Sequence, residues 1–437
     1  MKVSPIVAMA SVVGSGVGMF AISWLASRCL SPLELGYLLA FLSFGTFMQM
    51  ADFGLSYASL IAGGTCVAPE KAGELSALAG FVTRFNVLVS CASLAIVGIF
   101  GTRTFMNAAQ GPGIAAVNWE WPWVFFLLGI FAVQLSVPGM SLREGSGKPN
   151  QMWRLRLIQE MAGVFACVAA LLLGGRLWSI SLYALARAIV IGFCLRFGHP
   201  IEHVARLARF SSRRWFTENW SFQWRVGLSS LSGFLIFRAV TPIVFSAQGP
   251  VAGGQYGLAL SVMNLLFVVM SAWPMSQTAH YASVLAANKQ REFDREISRT
   301  LVLSTMFAAL AAATGYLAIC LAKSWGLAFA VRMAEPKICA ILLACAVVHH
   351  VNSCLAVFSR AEGRDPLWIL STVGGGATVV ALWLAARWGS LTAVAATQLI
   401  MPIIGVPIAV LIYLAHRKRR PVKTDFVPAF FELGNSG

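Results

Sequence analysis

Long apolar stretches separated by short polar breaks run along almost the whole chain of 437 residues. Most reach the roughly 20 residues that a helix needs to cross a bilayer core of about 30 Å. The stretch that begins at Leu35 has almost none of the polar face that a soluble helix of its length would expose. The pattern therefore predicts an all-α integral membrane protein with about twelve transmembrane helices. The predicted spans cover residues 5–27, 35–62, 78–102, 121–142, 152–174, 178–197, 222–246, 255–282, 300–323, 338–360, 367–387 and 391–415.

Composition supports a membrane protein without a large soluble domain. Hydrophobic residues make up 58% of the chain and charged residues only 11%, whereas soluble proteins have roughly 45–50% and about 25%. The net charge of +16 would suit nucleic acid, but most lysines and arginines lie in short loops, where they set topology and suit anionic lipid headgroups. We therefore expect membrane lipids as partners and no nucleic acid. The sequence has no nucleotide-binding motif and no zinc-ligand spacing, so no cofactor or metal is predicted.

The loop charges predict the orientation of the chain in the membrane. If both termini and every second loop lie on one side, that side holds twenty-one lysines and arginines and the other side holds seven. The positive-inside rule then places both termini in the cytoplasm. Because only an even number of spans gives this alternation, the bias also favours twelve.

The two halves of the chain resemble each other after a shift of about 220 residues. Glu144-Gly145 after span four matches Glu362-Gly363 after span ten, at an offset of 218 residues. The segment 33–38 at the start of span two matches 254–258 at the start of span eight. This pattern predicts two parallel six-helix repeats, a plan in which transporters place their site between the halves.

The repeat gives a predicted division of the chain. It consists of an N-terminal six-helix bundle (1–198), a basic cytoplasmic linker (199–220), a C-terminal six-helix bundle (221–416) and a basic cytoplasmic tail (417–437). The linker has two interpretations. Its arginines alternate with apolar residues, as in an amphipathic helix that lies on the inner membrane surface, or it is a charged topology anchor.

The start of span two carries a family resemblance. A Ser31-Pro32 break precedes Gly36-Tyr37, and a long apolar run then leads to Asp52-Phe53-Gly54-Leu55, while the second half carries Tyr256-Gly257 and Glu362-Gly363-Arg364. This arrangement resembles bacterial polysaccharide repeat-unit flippases, the O-antigen and exopolysaccharide translocases of the multidrug/oligosaccharidyl-lipid/polysaccharide exporter superfamily. The second half has Trp273-Pro274 where the first half has Asp52-Phe53, so any role of Asp52 has no counterpart in the second half.

The resemblance implies a fold and a function. Such proteins form a V-shaped bundle with a central cavity between two halves, which rock to alternate access. They flip an undecaprenyl-pyrophosphate-linked oligosaccharide, a precursor of lipopolysaccharide or exopolysaccharide, from the cytoplasmic to the periplasmic leaflet of the inner membrane. A polysaccharide polymerase and a chain-length regulator are possible partners, and no enzyme activity is expected.

A pyrophosphate cargo requires cationic residues in the cavity, and arginine suits phosphate because its planar, permanently charged group donates in pairs. Arg238 lies about 16 residues into span seven, roughly 24 Å along a helix. The family often carries a cavity arginine in this helix, so Arg238 is the first candidate for binding phosphate or sugar. The alternative is a residue that snorkels towards the periplasmic surface.

The other charged candidates each have two interpretations. Arg84 and Asp52 fall at similar depths in neighbouring spans, where they line the inner mouth of a cavity or neutralise each other. Arg28 ends span one and is a candidate for the outer mouth. Arg187 and Glu160 lie in one half, where an intramembrane ion pair is as good an explanation as contact with cargo.

Uncharged and titratable polar residues complete the set. His349 and His350 lie near the centre of span ten, where a histidine can relay protons. Adjacent residues point about 100° apart on a helix, so packed, hydrogen-bonded histidines are the simpler interpretation. Asn264 in span eight is a further polar candidate.

Two other functions remain open at this stage. The first is a multidrug or organic-cation antiporter of the same superfamily, which would favour acidic residues in the cavity. The second is a membrane glycosyltransferase or polymerase, which needs a catalytic acid or base in a sizeable aqueous loop. The predicted periplasmic loops are short, which disfavours the enzyme.

Overall fold

The structure is a computed structural model. It describes residues 5–50, 55–56, 59, 72–110, 117–145, 149–198, 224–225, 227–229, 231–233, 235–277, 280–281, 284–285, 287, 289–362 and 366–418. Asp52, the predicted linker and nearly all of the predicted tail therefore lie outside the described residues.

The described residues form helices and short connections, as the apolar pattern predicts. The helices are α1 (Pro5–Cys29), α2 (Pro32–Met50), α3 (Ala72–Ala109), α4 (Glu120–Gly145), α5 (Pro149–Leu172), α6 (Trp178–Gly198), α7 (Val240–Gln248), α8 (Pro250–Ser276), α9 (Gln290–Ser324), α10 (Ala328–Arg332), α11 (Pro336–Ala361), α12 (Trp368–Trp388) and α13 (Leu391–Lys418).

Eight helices within the described part of the chain are long and apolar enough to cross a membrane, namely α3, α4, α5, α8, α9, α11, α12 and α13. The remaining predicted spans correspond to α1, α2, the shorter apolar helix α6, and a bent pair formed by residues 227–237 and α7. The prediction of an all-α, multi-pass membrane protein is confirmed.

Several predicted helix ends were wrong. Span seven is not continuous, because the chain bends by 42° at a break before Val240. Helix α9 begins at Gln290 rather than near residue 300, since Phe293 and Ile297 are buried and give its polar first turns an inward face. Helix α8 ends at Ser276, before the predicted 282.

The tight reversal predicted between the last two spans is confirmed, with α12 ending at Trp388 and α13 beginning at Leu391.

The chain divides into two compact units, residues 1–257 and 258–437. The core of the first contains an aromatic cluster, which we define as Tyr37, Phe41, Phe105, Trp119, Trp123 and Phe245. The core of the second includes Tyr281, Phe293, Phe358 and Tyr413. The predicted division at 199–220 stays a prediction.

A reciprocal cap explains the break before α2. The Ser31 backbone N–H donates to Glu34 Oε2 at 2.9 Å, and the Glu34 N–H donates to Ser31 Oγ at 3.3 Å. Such a capping box satisfies two backbone donors that the helix itself leaves unpaired. Pro32 between them occupies the first helical position, where its missing N–H costs nothing.

Glycines allow close helix contacts in the first unit. A Cβ at Gly18 of α1 would lie 2.7 Å from Val164 of α5, and one at Gly129 of α4 would lie 2.7 Å from Ala184 of α6. Small residues let membrane helices approach and gain van der Waals contact. Gly18 is the second glycine of a Gly14-x-x-x-Gly18 spacing, which is typical of closely packed membrane helices.

The segments that the internal repeat matched lie against each other. A Cβ at Gly36 of α2 would overlap the Pro250 carbonyl group, and one at Gly254 of α8 would lie 3.1 Å from the Gly36 nitrogen. One helical turn further on, a Cβ at Gly257 would lie 3.1 Å from the Leu39 Cβ. The beginnings of α2 and α8 thus cross with almost no side chain between them.

Candidate functional site

Arg238 lies at the break in the bent helix pair. Residues 238 and 239 form a turn between the helical segment ending at 237 and α7, and the Arg238 side chain is half-buried. Within the described part of the chain, it has no hydrogen-bond or ion-pair partner. Irregular backbone at membrane depth occurs where it is buried in protein or lines a cavity, and interrupted helices often form transporter binding sites. Arg238 is therefore placed where a permanent cation could bind an anionic or polar group.

The aromatic cluster contacts α7, the helix that follows this break. The Phe245 ring lies 5.0 Å from the Tyr37 ring and 5.5 Å from the Phe105 ring, both at nearly perpendicular angles. Edge-to-face pairs contribute about 0.5–1.5 kcal/mol beyond the area they bury. Phe245 follows Arg238 by seven residues, about 10 Å along a helix, so α7 is fixed to α2 and α3 close to the arginine.

Glu160 on α5 and Arg187 on α6 form a buried ion pair. Arg187 Nη2 lies 2.5 Å from Glu160 Oε1, with side chains 7% and 15% exposed. Tyr183 Oη donates to the other carboxylate oxygen at 2.9 Å, and Arg187 Cζ lies 5.0 Å from the centre of the Tyr183 ring. Both oxygens of Glu160 therefore have partners. The structure brings these two predicted residues together as an ion pair.

The packing around the pair explains how it forms. Gly163 lies one turn after Glu160, and a Cβ there would come within 2.7 Å of Arg187 Cγ and 2.8 Å of Tyr183 Cδ2. Without that Cβ, the two helices hold the tyrosine and the arginine over the carboxylate. Arg187 Nε is buried and has no hydrogen-bond acceptor among the described residues. The arrangement is neutral overall, and whether it also contacts cargo stays a prediction.

His350 is part of a polar cluster in the second unit. It is fully buried on α11, with Nε2 2.9 Å from Ser304 Oγ of α9 and 3.5 Å from Cys354 Sγ. His349 is buried as well. These contacts agree with the interpretation of His350 as a packed, hydrogen-bonded residue.

Ser304→Ala is expected to lower the free energy of unfolding by about 1–3 kcal/mol, because it leaves His350 Nε2 with only a weakly bonding thiol. Unfolding in mixed micelles with increasing sodium dodecyl sulfate would measure the change. Ser298→Ala on the exposed face of α9 is the matched control, with an expected change within about 0.5 kcal/mol. Equal losses in both variants would contradict the buried hydrogen bond.

The other predicted residues lie apart from these groups or have no described contact with them. Arg28 is exposed at the end of α1, with its Cζ 4.1 Å from the centre of the Trp24 ring. Arg84 is exposed on α3, and Asn264 is half-buried on α8. Their roles as binding residues stay predictions.

Sequence reasoning missed one buried polar group in the first unit. Asn86 and Ser90 on α3 and Gln134 on α4 are each at most 1% exposed. Asn86 Nδ2 donates to the carbonyl oxygens of Gln134 and Leu135, each at 3.2 Å. Asn86 Oδ1, Ser90 Oγ and both polar atoms of the Gln134 side chain have no partner among the described residues. The sequence analysis considered Asn264 among the uncharged polar residues but not these three, although the four-residue spacing of Asn86 and Ser90 puts them on one helix face.

Comparison with known proteins identifies the fold. No protein-family profile matches this sequence, and no curated protein matches it either. A multidrug resistance MATE family transporter of the MOP superfamily, solved in an inward-facing conformation, has a TM-score of 0.66 at 12% identity and covers 96% of this chain and 97% of its own.

Two further solved transporters have a similar fold. A mutant of the MATE transporter VcmN from Vibrio cholerae has a TM-score of 0.59 at 14% identity, covering 96% of this chain and 97% of its own. A eukaryotic MATE transporter has a TM-score of 0.60 at 14% identity, covering 96% and 98%. Identities this low establish architecture and not cargo. The chain therefore has the fold of MATE transporters over almost its whole length.

Proposed function

We propose that this protein is a transporter that carries an amphipathic molecule across a membrane by alternating access. The match in fold to MATE transporters over 96% of the chain carries this proposal. Solved structures with this fold include one in an inward-facing and one in an outward-facing conformation. The excess of basic residues in alternate loops supports a cytoplasmic location of both termini, and the resemblance to bacterial flippases supports a location in the inner membrane.

Export of small amphipathic compounds is the first candidate function. The similar solved structures are MATE transporters, and two of them are described as multidrug resistance transporters. This similarity supports multidrug export better than it supports the flipping of a lipid-linked oligosaccharide.

The charges inside the membrane favour the second candidate, a flippase for undecaprenyl-pyrophosphate-linked oligosaccharides. In the described parts of the predicted spans, Glu160 is the one acidic residue, and Arg187 neutralises it. An organic cation would be bound better by an unpaired carboxylate, a role for which the predicted spans leave only Asp52, outside the described residues. Arg238 instead offers a cation at a helix break, which suits a pyrophosphate group.

A deletion strain would separate the two candidates. Under the export proposal, the strain becomes more sensitive to amphipathic toxic compounds and keeps its surface polysaccharide. Under the flippase proposal, polysaccharide is lost and the lipid-linked precursor accumulates in the cytoplasmic leaflet. If the deletion strain has no redundant transporter and shows neither of these phenotypes, that result contradicts the transport proposal itself.

Arg238→Ala is expected to lower the transport rate by about ten- to a hundredfold if the guanidinium group binds an anionic cargo, since a hydrogen bond to a charged group contributes about 1.5–3 kcal/mol. Arg238→Lys keeps the charge and should retain more activity. Arg103→Ala removes an exposed arginine of α3 and serves as the matched control. Normal transport by well-expressed Arg238→Ala protein would remove this residue from the site.

A further inference from the structure

The first turns of α9 carry charges of both signs, and the acidic residues all have partners. Glu292 Oε2 lies 3.0 Å from Lys289 Nζ, and Glu296 Oε2 lies 3.0 Å from His280 Nε2. Asp294 forms an ion pair with Arg417 of α13. These pairs use basic residues outside α9, so the acids of this segment are already engaged.

Unlike these acidic residues, the arginines of the same segment have no described partner of opposite charge. Arg291, Arg295 and Arg299 are exposed, and none of them has an acidic partner among the described residues. They recur at intervals of four residues, so they form a row about 12 Å long on one face of α9. We call this row the arginine row.

The arginine row continues directly into an apolar face. Val302, Met306 and Leu310 are 57%, 65% and 64% exposed. At about 100° per residue, these three and the three arginines fall within an arc of about 100°. Phe293 and Ile297, which are buried, lie on the opposite side of the helix. The exposed face therefore changes from cationic to apolar along its length, and a phospholipid leaflet changes in the same direction from anionic headgroups to apolar acyl chains.

We propose that the arginine row binds the headgroup phosphates of anionic phospholipids, with acyl chains lying along Val302, Met306 and Leu310. Arginine binds phosphate oxygens in pairs and keeps its charge in a partly dehydrated interface. The predicted topology puts this end of α9 at the cytoplasmic leaflet, where basic residues attract anionic lipid. Two features distinguish this segment from an ordinary solvated surface. Every described acidic residue on these turns is paired with a cation outside the arginine row, and an exposed apolar face adjoins the row.

The test uses the purified full chain in neutral detergent. Native mass spectrometry would record lipid binding during titration with phosphatidylglycerol, and separately with phosphatidylcholine and with inorganic phosphate. We expect each arginine replaced by glutamine to weaken phosphatidylglycerol binding about fivefold, from roughly 1 kcal/mol per basic residue near an anionic surface. The triple variant Arg291→Gln, Arg295→Gln and Arg299→Gln should lose about a hundredfold.

Two controls make the result specific. Arg103→Gln removes an exposed arginine near the other end of the predicted spans and should leave phosphatidylglycerol binding unchanged. Replacing the three arginines by lysine should preserve most of the binding. The proposal is overturned if the triple glutamine variant binds phosphatidylglycerol like the wild type, if phosphatidylcholine binds equally well, or if inorganic phosphate binds as strongly as the lipid. Cargo plays no part in this measurement, so the inference stands or falls independently of the proposed transport.

Discussion

Glu160→Gln is expected to lower the free energy of unfolding by about 3–5 kcal/mol, because it leaves the buried charge of Arg187 without its counter-ion. Arg187 is 6% exposed, so water cannot replace the carboxylate. The substitution keeps the shape of the side chain and its capacity to accept the Tyr183 hydrogen bond. Unfolding in mixed micelles with increasing sodium dodecyl sulfate, followed by circular dichroism, would measure the loss.

Glu144→Gln is the matched control. Glu144 also pairs with an arginine at short distance, 2.8 Å from Arg156 Nη2, but that arginine side chain is 26% exposed. The Glu144 side chain is only 12% exposed, so the two pairs differ in the arginine, and Glu144→Gln leaves a charge that water still reaches and should cost less than Glu160→Gln. The double variant Glu160→Gln with Arg187→Gln should recover part of the loss, since no uncompensated charge remains. A loss for Glu160→Gln no greater than that of Glu144→Gln would contradict the buried pair.

Gly36→Ala is expected to destabilise the protein by about 3 kcal/mol or more, at the upper end of overpacking in a close-packed interior. The added Cβ would press on the Pro250 carbonyl oxygen and lie 2.7 Å from its carbonyl carbon. Both are backbone atoms, so relief requires α2 and α8 to move apart. The same unfolding assay would detect the change, together with lower monodispersity in size-exclusion chromatography.

Gly192→Ala distinguishes this clash from the general effect of replacing a helical glycine. A Cβ at Gly192 of α6 meets nothing within 4 Å, and alanine favours a helix over glycine by about 1 kcal/mol. That variant should be neutral or more stable. If Gly36→Ala behaves in the same way, α2 and α8 do not cross as closely as described.

The membrane architecture could be predicted from the sequence because each span repeats one simple signal. About twenty apolar residues, a polar break and alternating loop charge suffice to indicate a helical multi-pass protein. The reversal at Gly389 is visible for the same reason, since only three residues separate the apolar runs. The predicted start of α9 was wrong because the part of this helix outside the predicted span buries only Phe293 and Ile297 on its inner face. Two apolar residues are a weaker signal than the roughly twenty of a membrane span.

The candidate site was less accessible to prediction. Glu160 and Arg187 are conspicuous as charges within apolar runs, but their pairing depends on the packing allowed by Gly163. The break at Arg238 does have a signal in the sequence that the prediction of a continuous span missed, because Pro242 cannot donate to the carbonyl oxygen of residue 238 and its ring clashes with that carbonyl group. Asn86, Ser90 and Gln134 carry no charge, so the four-residue spacing of Asn86 and Ser90 is a weak signal, and their burial in the structure distinguishes them from polar residues of a surface helix.

The short connection between α5 and α6 gives the Glu160–Arg187 pair a consequence during biosynthesis. Helix α5 ends at Leu172 and α6 begins at Trp178, so the two form a hairpin. A lone arginine near the centre of an inserting helix costs about 2.5–3.5 kcal/mol on translocon-based scales. We expect α5 and α6 to leave the translocon together, with the arginine already neutralised. The carboxylate would then be needed first for membrane insertion and only later for the stability of the finished protein.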